Sequence, residues 1–176
     1  MDSISKLTDT LLYFVPALLV LGAVYLMIKK FLDNEHRLRL LESKANIRKD
    51  IVPLRLQAYE RMCLFLERIS PGNLIIRVQK PGMSTRDLQL ELLSAIRTEF
   101  EHNFSQQIYM SSKAWDVVKA AKEETVKIIN LAASSAGEEA TGSQLSKVIF
   151  EILIKNEKIP TQKALEFVKN EARQLF

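Results

Sequence analysis

The hydrophobic pattern of the chain is dominated by one unbroken apolar run near its start. Leu11 to Ile28 reads LLYFVPALLVLGAVYLMI, without a charged side chain or a polar amide. As a helix this run would be roughly 27 Å long, close to the ~30 Å hydrocarbon core of a bilayer. A core helix of a soluble protein has a polar face, and a signal peptide has a shorter run and a small-residue cleavage site. We therefore predict a transmembrane helix over 11–28, preceded by a short external tail, 1–10.

Basic residues are concentrated directly after the apolar run, in segment 29–49. They are Lys29, Lys30, Arg37, Arg39, Lys44, Arg48 and Lys49. The preceding tail has Lys6 beside Asp2 and Asp9. Because basic flanks are retained in the cytoplasm, this asymmetry predicts an external N-terminus and a cytoplasmic C-terminal part. The run contains no ionisable residue, which argues against a channel or transporter formed by this helix alone.

Segment 29–49 is predicted to be a charged, basic juxtamembrane stalk that continues the transmembrane helix. Two acid-to-base pairs at i,i+4 spacing favour a helix here: Asp33–Arg37 and Glu35–Arg39. A narrow apolar strip also runs along it, formed by Leu38, Leu41 and Ala45. The basic residues either contact anionic lipid headgroups or only set the topology and solvate the stalk. We favour the second interpretation.

The remainder, 50–176, has the periodicity of amphipathic helices. Asp50 is a suitable N-cap that would place Pro53 in the first turn of a new helix, although a kink at Pro53 in one long helix is the alternative. Apolar positions from Ile51 to Ile69 form a broad stripe, which predicts a largely buried helix. The 74–78 segment is too short for periodicity to decide between helix and strand, and we favour helix.

Four further helices follow the turn at Pro81-Gly82. Ser84 and Asp87 have the spacing of a capping box, and it is followed by a stripe at i+4 spacing: Leu88, Leu92, Ile96, Phe100 and Phe104. A helix over 112–133 comes next, then the connection SSAGEEATGS at 134–143, a helix carrying Leu145 to Leu153, and a last helix from Pro160. Counting the 51–69 helix, we predict an all-α fold in which the transmembrane helix and stalk precede a four- to five-helix cytoplasmic bundle.

The composition offers few residues that could form a catalytic, metal or cofactor site. The chain has one Cys and two His, and four of its five glycines fall in turns rather than in a phosphate-binding loop. Cys63 lies on an apolar stripe, where a small buried residue is the ordinary interpretation. The net charge of +4 reflects the basic residues of 29–49, not a nucleic-acid-binding face. We predict no metal, no cofactor, no small-molecule substrate, no nucleic acid and no enzyme activity. Trp115 and Phe104 are either core residues or part of a partner-binding surface.

Three segments carry a family resemblance: 51–71, 113–130 and 160–176, beginning IVPLRLQ, KAWDVVK and PTQKALE. They resemble a family of uncharacterised bacterial single-span membrane proteins with a cytoplasmic all-helical domain. The resemblance implies a bacterial inner-membrane location and carries over no catalytic residue, because that family has no assigned reaction.

These observations predict a membrane-anchored helical interaction or scaffold protein, an accessory subunit of a bacterial inner-membrane assembly. Its partners would be the lipid bilayer and either another membrane protein or a second copy of itself. One alternative is a homo-oligomeric membrane-surface organiser that binds anionic lipid through the basic stalk. The other alternative is an enzyme with an unrecognised site.

Overall fold

The computed structural model describes residues 2–137, 139–155 and 159–175, with side chains from Phe14 onward except at 17 and 43–47. All regular elements among these residues are helices, which confirms the all-α prediction. The α-helices are α1 (Asp2–Ile69), α2 (Pro71–Val78), α3 (Thr85–Asn103), α4 (Ser112–Ala136), α5 (Gly142–Lys155) and α6 (Pro160–Leu175), with a 3₁₀ helix at Phe104–Tyr109 between α3 and α4.

Helix α1 continues through Pro53, so the predicted helix start at Asp50 is wrong, and one long helix, the alternative, is what forms. Proline removes one backbone N–H and therefore frees the carbonyl of Lys49, four residues earlier. Lys49 is exposed, so water can satisfy that carbonyl, and the helix can accommodate the proline. The chain nevertheless divides into two compact units, one up to Asp50 and one from Ile51.

The core of the second unit begins with the last turns of α1. Six side chains at three- and four-residue spacing are at most 1% exposed: Ala58, Tyr59, Met62, Phe65, Leu66 and Ile69. The predicted burial does not extend to the preceding turns, because Val52, Leu54 and Leu56 remain 40–50% exposed. The buried stripe therefore starts at Ala58, seven residues after Ile51, where the predicted stripe begins.

Helices α2 and α3 follow the sequence predictions closely. The 74–78 segment is helical, and Pro71 occupies the first turn, where its missing N–H costs nothing. At the start of α3, the Ser84 hydroxyl accepts from the Asp87 amide at 3.1 Å, and the Asp87 carboxylate accepts from the Ser84 amide at 3.3 Å. The predicted capping box is confirmed. The apolar stripe is buried as far as Ile96, and Phe104 belongs to the 3₁₀ helix beyond α3.

Two loops meet at the starts of α3 and α5. The Thr85 amide donates to the Ala140 carbonyl at 3.0 Å, and the Gly142 amide donates to the Met83 carbonyl at 2.8 Å. A Cβ at Gly142 would lie 3.1 Å from that Met83 oxygen, so the close approach favours glycine. Helix α4 is longer than predicted, running to Ala136, which leaves only residues 137–141 as the connection to α5.

Candidate functional site

The first candidate site is the uncharged part of α1. One helical segment among the described residues, Phe14–Glu42, is long and apolar enough to cross a membrane. None of its most apolar 18-residue stretch is buried. The large apolar side chains from Phe14 to Leu32 are between 48% (Val15) and 74% (Met27) exposed. At about 1.5–3 kcal/mol each, moving a dozen such side chains out of water is worth on the order of 20 kcal/mol.

The second candidate site is the basic collar, which we define as the basic residues predicted to set the topology. They are Lys29, Lys30, Arg37, Arg39, Lys44, Arg48 and Lys49, all exposed except Lys44, whose side chain lies outside the described ones. Arg39 pairs with Glu35 at 2.6 Å, as predicted, whereas Asp33 and Arg37, both described, form no ion pair. At ~1.5 Å per residue, Arg37 is about 12 Å and Lys49 about 30 Å along the helix from Lys29.

The third candidate site brings together the two aromatic residues predicted as a partner surface. Phe104 is 51% exposed and Trp115 is 8% exposed, with their ring centroids 5.9 Å apart in an edge-to-face arrangement. Phe100 stacks on Trp115 at 5.4 Å, and the Lys122 ammonium lies 4.4 Å above the Phe100 ring. Phe104, Phe100 and Lys122 line an open groove of about 460 Å³. Trp115 is therefore a core residue that supports Phe100 and Phe104 from below, and Phe104 is an exposed wall of the groove.

A polar cluster that the sequence did not predict joins three segments of the second unit. The Glu171 carboxylate accepts hydrogen bonds from the Tyr59 hydroxyl and, at 2.9 Å, from the Ser111 hydroxyl. Ser111 also caps α4, accepting from the Ala114 amide at 3.0 Å. Burial and the neighbouring Glu171 carboxylate raise the pKa of Tyr59. The phenol therefore stays protonated and acts as a hydrogen-bond donor, not as a base.

A signal for this cluster is present in the sequence. Ala164 and Val168 lie on the buried face of α6, and Glu171 follows Val168 at i+3, on the same side of the helix. A carboxylate in that position needs a hydrogen-bond donor from the core. The sequence interpretation treated α6 as an ordinary amphipathic helix and missed the residue.

A second carboxylate, Glu99, is held by two arginines. Arg68 and Arg77 contact it at 2.9 and 3.2 Å, and the Glu99 side chain is only 16% exposed. Glu99 and His102 line a groove of about 410 Å³. The described residues contain no group of three or more His, Cys, Asp or Glu able to hold a metal ion. The Glu99 cluster therefore joins α1, α2 and α3 electrostatically.

The cysteine is half-buried, and burial raises the pKa of the Cys63 thiol. A thiol must ionise to attack an electrophile, so Cys63 is a poor nucleophile at neutral pH. Its position on the buried side of α1 agrees with a packing role.

The chain belongs to a family of unknown function, DUF7935, whose family model matches residues 5–175. This agrees with the resemblance to an uncharacterised family seen in the sequence. No curated protein matches the chain, and no solved structure matches it.

Proposed function

We propose that this DUF7935 member is a membrane-anchored helical interaction protein and an accessory subunit of a bacterial inner-membrane assembly. The observation that supports an anchor is the exposed, uncharged segment of α1, whose large apolar side chains are 48–74% exposed. Water is a poor environment for such a surface, and the hydrocarbon core of a bilayer matches both its length and its composition.

In this proposal the basic collar orients the chain. Lys29 and Lys30 adjoin the apolar segment and are exposed, as positive-inside residues are in single-pass proteins. The N-terminus would lie outside the inner membrane and the helical bundle in the cytoplasm. The function would be to hold the bundle at the membrane, where confinement to a surface raises its effective concentration for a partner.

We also propose that the bundle acts without catalysis. The groups best suited to chemistry already have structural partners: Glu171 accepts from Tyr59 and Ser111, and Glu99 accepts from two arginines. The bundle would contribute a binding surface, in which Phe104 is the exposed part and Trp115 its buried support.

Membrane extraction and a topology reporter test the anchor. The full-length chain should stay in the membrane fraction after an alkaline wash, and a cytoplasm-specific reporter fused after Phe176 should be active. Leu19→Arg places a charge in the apolar segment, at about 2.5–3.5 kcal/mol near a bilayer centre, and should increase the washed-out fraction. Leu90→Arg, in the bundle, is the control: Leu90 is 59% exposed and Leu19 70%. A soluble wild-type chain would refute the anchor.

Co-purification in mild detergent tests the partner. A stoichiometric membrane protein should be recovered with the wild-type chain, and Phe104→Ser should reduce that recovery. Leu131→Ser is the matched control, because Leu131 is 57% exposed on α4 and Phe104 is 51% exposed. Recovery of no stoichiometric partner would count against an accessory subunit, and equal loss in both variants would count against the Phe104 surface.

A second candidate function is a membrane-surface organiser that binds anionic lipid. It is favoured by Lys29 and Lys30, which are exposed directly after the apolar segment. Screening over roughly 8 Å at physiological salt limits strong headgroup attraction to residues near the membrane plane. Lys29→Gln with Lys30→Gln should therefore reduce the anionic lipid that co-purifies with the full chain, whereas Lys49→Gln should not. Equal lipid retention in all three proteins would eliminate this candidate.

A further inference from the structure

The first unit has an apolar seam at coiled-coil spacing, formed by Phe31, Asn34, Leu38 and Leu41. The intervals of three, four and three residues are those of successive a and d positions in a heptad. Phe31, Leu38 and Leu41 are 67%, 51% and 63% exposed. Such a spacing places the four side chains within about 80° of one another around the helix. The seam is therefore a continuous apolar face interrupted by one amide.

Charged residues flank the seam in an alternating order. Lys30 and Arg37 occupy the g positions of this heptad, and Glu35 and Glu42 occupy the e positions. In a parallel pair of helices, each g residue faces the e residue of the following heptad on the second copy. Lys30 would then face Glu35 of the second copy, and Arg37 would face Glu42 of the second copy. Both contacts join opposite charges, and symmetry makes each of them twice.

The Arg37 and Glu42 charges are complementary to those of a second copy, whereas Glu35 already pairs with Arg39 of its own chain at 2.6 Å. Arg37 and Glu42 form no ion pair with any described residue, although Asp33 lies one helical turn before Arg37. In the next heptad Lys44 would face Lys49, so the complementary pattern ends at Glu42. The seam is thus confined to residues 31–42.

We propose that two copies of this chain pair in parallel through residues 31–42, with Leu38 and Leu41 packed in the seam and Arg37 paired with Glu42 of the second copy. This inference rests on the proposed membrane anchor, because two chains inserted with the same topology can only meet in parallel. The anchor also strengthens the pairing. So short a coiled coil associates weakly in water, and confinement to one membrane raises the effective concentration of the two chains for each other. Asn34 faces its own copy in the seam, where amide–amide hydrogen bonding favours the in-register pair.

Cysteine cross-linking of the full chain in isolated membranes tests the seam. Single cysteines are placed in a Cys63→Ala background and oxidised. Leu38→Cys and Leu41→Cys should give a disulfide-linked dimer, because seam positions bring Cβ atoms close to the ~3.5–4.5 Å that a disulfide requires. Leu40→Cys is the matched control: Leu40 is 51% exposed, the same as Leu38, but lies about 160° around the helix from it. It should remain monomeric.

Charge reversal tests the pairing itself, with Leu38→Cys as the reporter. Arg37→Glu and Glu42→Arg each place like charges opposite one another twice per dimer, and each should lower the cross-linked fraction about tenfold. The double variant restores opposite charges and should restore cross-linking. Asp33→Arg is the control, because it makes the same charge change as Glu42→Arg but lies outside the seam.

The outcomes separate the pairing from the anchor. Equal cross-linking at positions 38, 40 and 41 would indicate random collision and overturn the proposal, as would its absence at all three. Loss of cross-linking in the double variant would overturn the Arg37–Glu42 pairing. In each case, recovery of the chain in the washed membrane fraction would still support the proposed anchor. A chain found in the soluble fraction instead refutes the anchor, whatever the cross-linking shows.

Discussion

Replacing Glu171 with alanine is expected to destabilise the helical bundle by about 2 kcal/mol. The Glu171 carboxylate accepts from the Tyr59 hydroxyl of α1 and from the Ser111 hydroxyl at the N-cap of α4. Alanine removes both acceptors together, so one substitution weakens the attachment of α6 to two other helices.

The magnitude follows from the burial of the three side chains. Hydrogen bonds to a charged group are worth about 1.5–3 kcal/mol each, and truncation leaves their donors without that partner. Tyr59 is 1% exposed, so its hydroxyl is not easily reached by water. Glu171 is only half-buried, and its solvent access reduces the value of both bonds. We therefore expect about 2 kcal/mol in total, or roughly 6–10 °C in the melting temperature of a bundle of this size.

Tryptophan fluorescence of the full-length protein in mild detergent measures the effect. Trp115 is the chain's single tryptophan and is 8% exposed, so its emission reports unfolding of the bundle and not of the apolar segment. Glu166→Ala is the control, because Glu166 is exposed on the same helix. A double-mutant cycle with Tyr59→Phe should give a coupling of about 1 kcal/mol. Equal melting temperatures for the Glu171→Ala and Glu166→Ala variants would refute this account.

Three further predictions concern the same bundle. Gly142→Ala should lower the melting temperature by several degrees, because the added Cβ would lie 3.1 Å from the Met83 carbonyl oxygen. Gly72→Ala is the control and should not lower it, because the Cβ at that position would be 4.0 Å from the nearest atom. Burial and then the Glu171 carboxylate raise the pKa of Tyr59. The protonated phenol therefore contributes stability below pH 10 that should be lost as the pH rises towards the folded-state pKa. In melting experiments across pH, the Tyr59→Phe variant should lack this loss. Because burial raises the pKa of Cys63, its alkylation at pH 7 should be slower in the folded than in the denatured protein, and equal rates would contradict this.

Local signals allowed most helices to be predicted from the sequence. The Ser84–Asp87 capping box gave the start of α3 because both of its hydrogen bonds are made by residues three apart. Leu88 and Leu92 indicated the buried face of α3, since helical spacing alone puts them on one side. Such features need only a few neighbouring residues, so the sequence contains all the information.

Two features were missed, one for a local reason and one because it depends on residues distant in the chain. Asp50 and Pro53 have the chemistry of a helix start, yet α1 continues through them, since an exposed turn tolerates one missing hydrogen bond. The Tyr59–Glu171 contact joins residues at opposite ends of the bundle sequence, and no spacing rule connects them. Its donor and acceptor meet only after α1 and α6 pack, so the pair could be suspected from the carboxylate on α6 but not assigned.

The proposed seam depends on the proposed anchor, whereas the anchor does not depend on the seam. The seam of 31–42 presents few apolar side chains, and a coiled coil of that length is marginal in water. Insertion of the preceding segment would fix two chains in the same orientation and confine them to a plane, which removes most of the entropy cost of pairing. Insertion would also give the residues of the basic collar different roles, according to their distance from the bilayer. Lys29 would adjoin the bilayer, whereas Arg37 lies about 12 Å further along the helix, where screening weakens the attraction to headgroups. A positive charge there is better explained by a carboxylate on a second copy than by lipid.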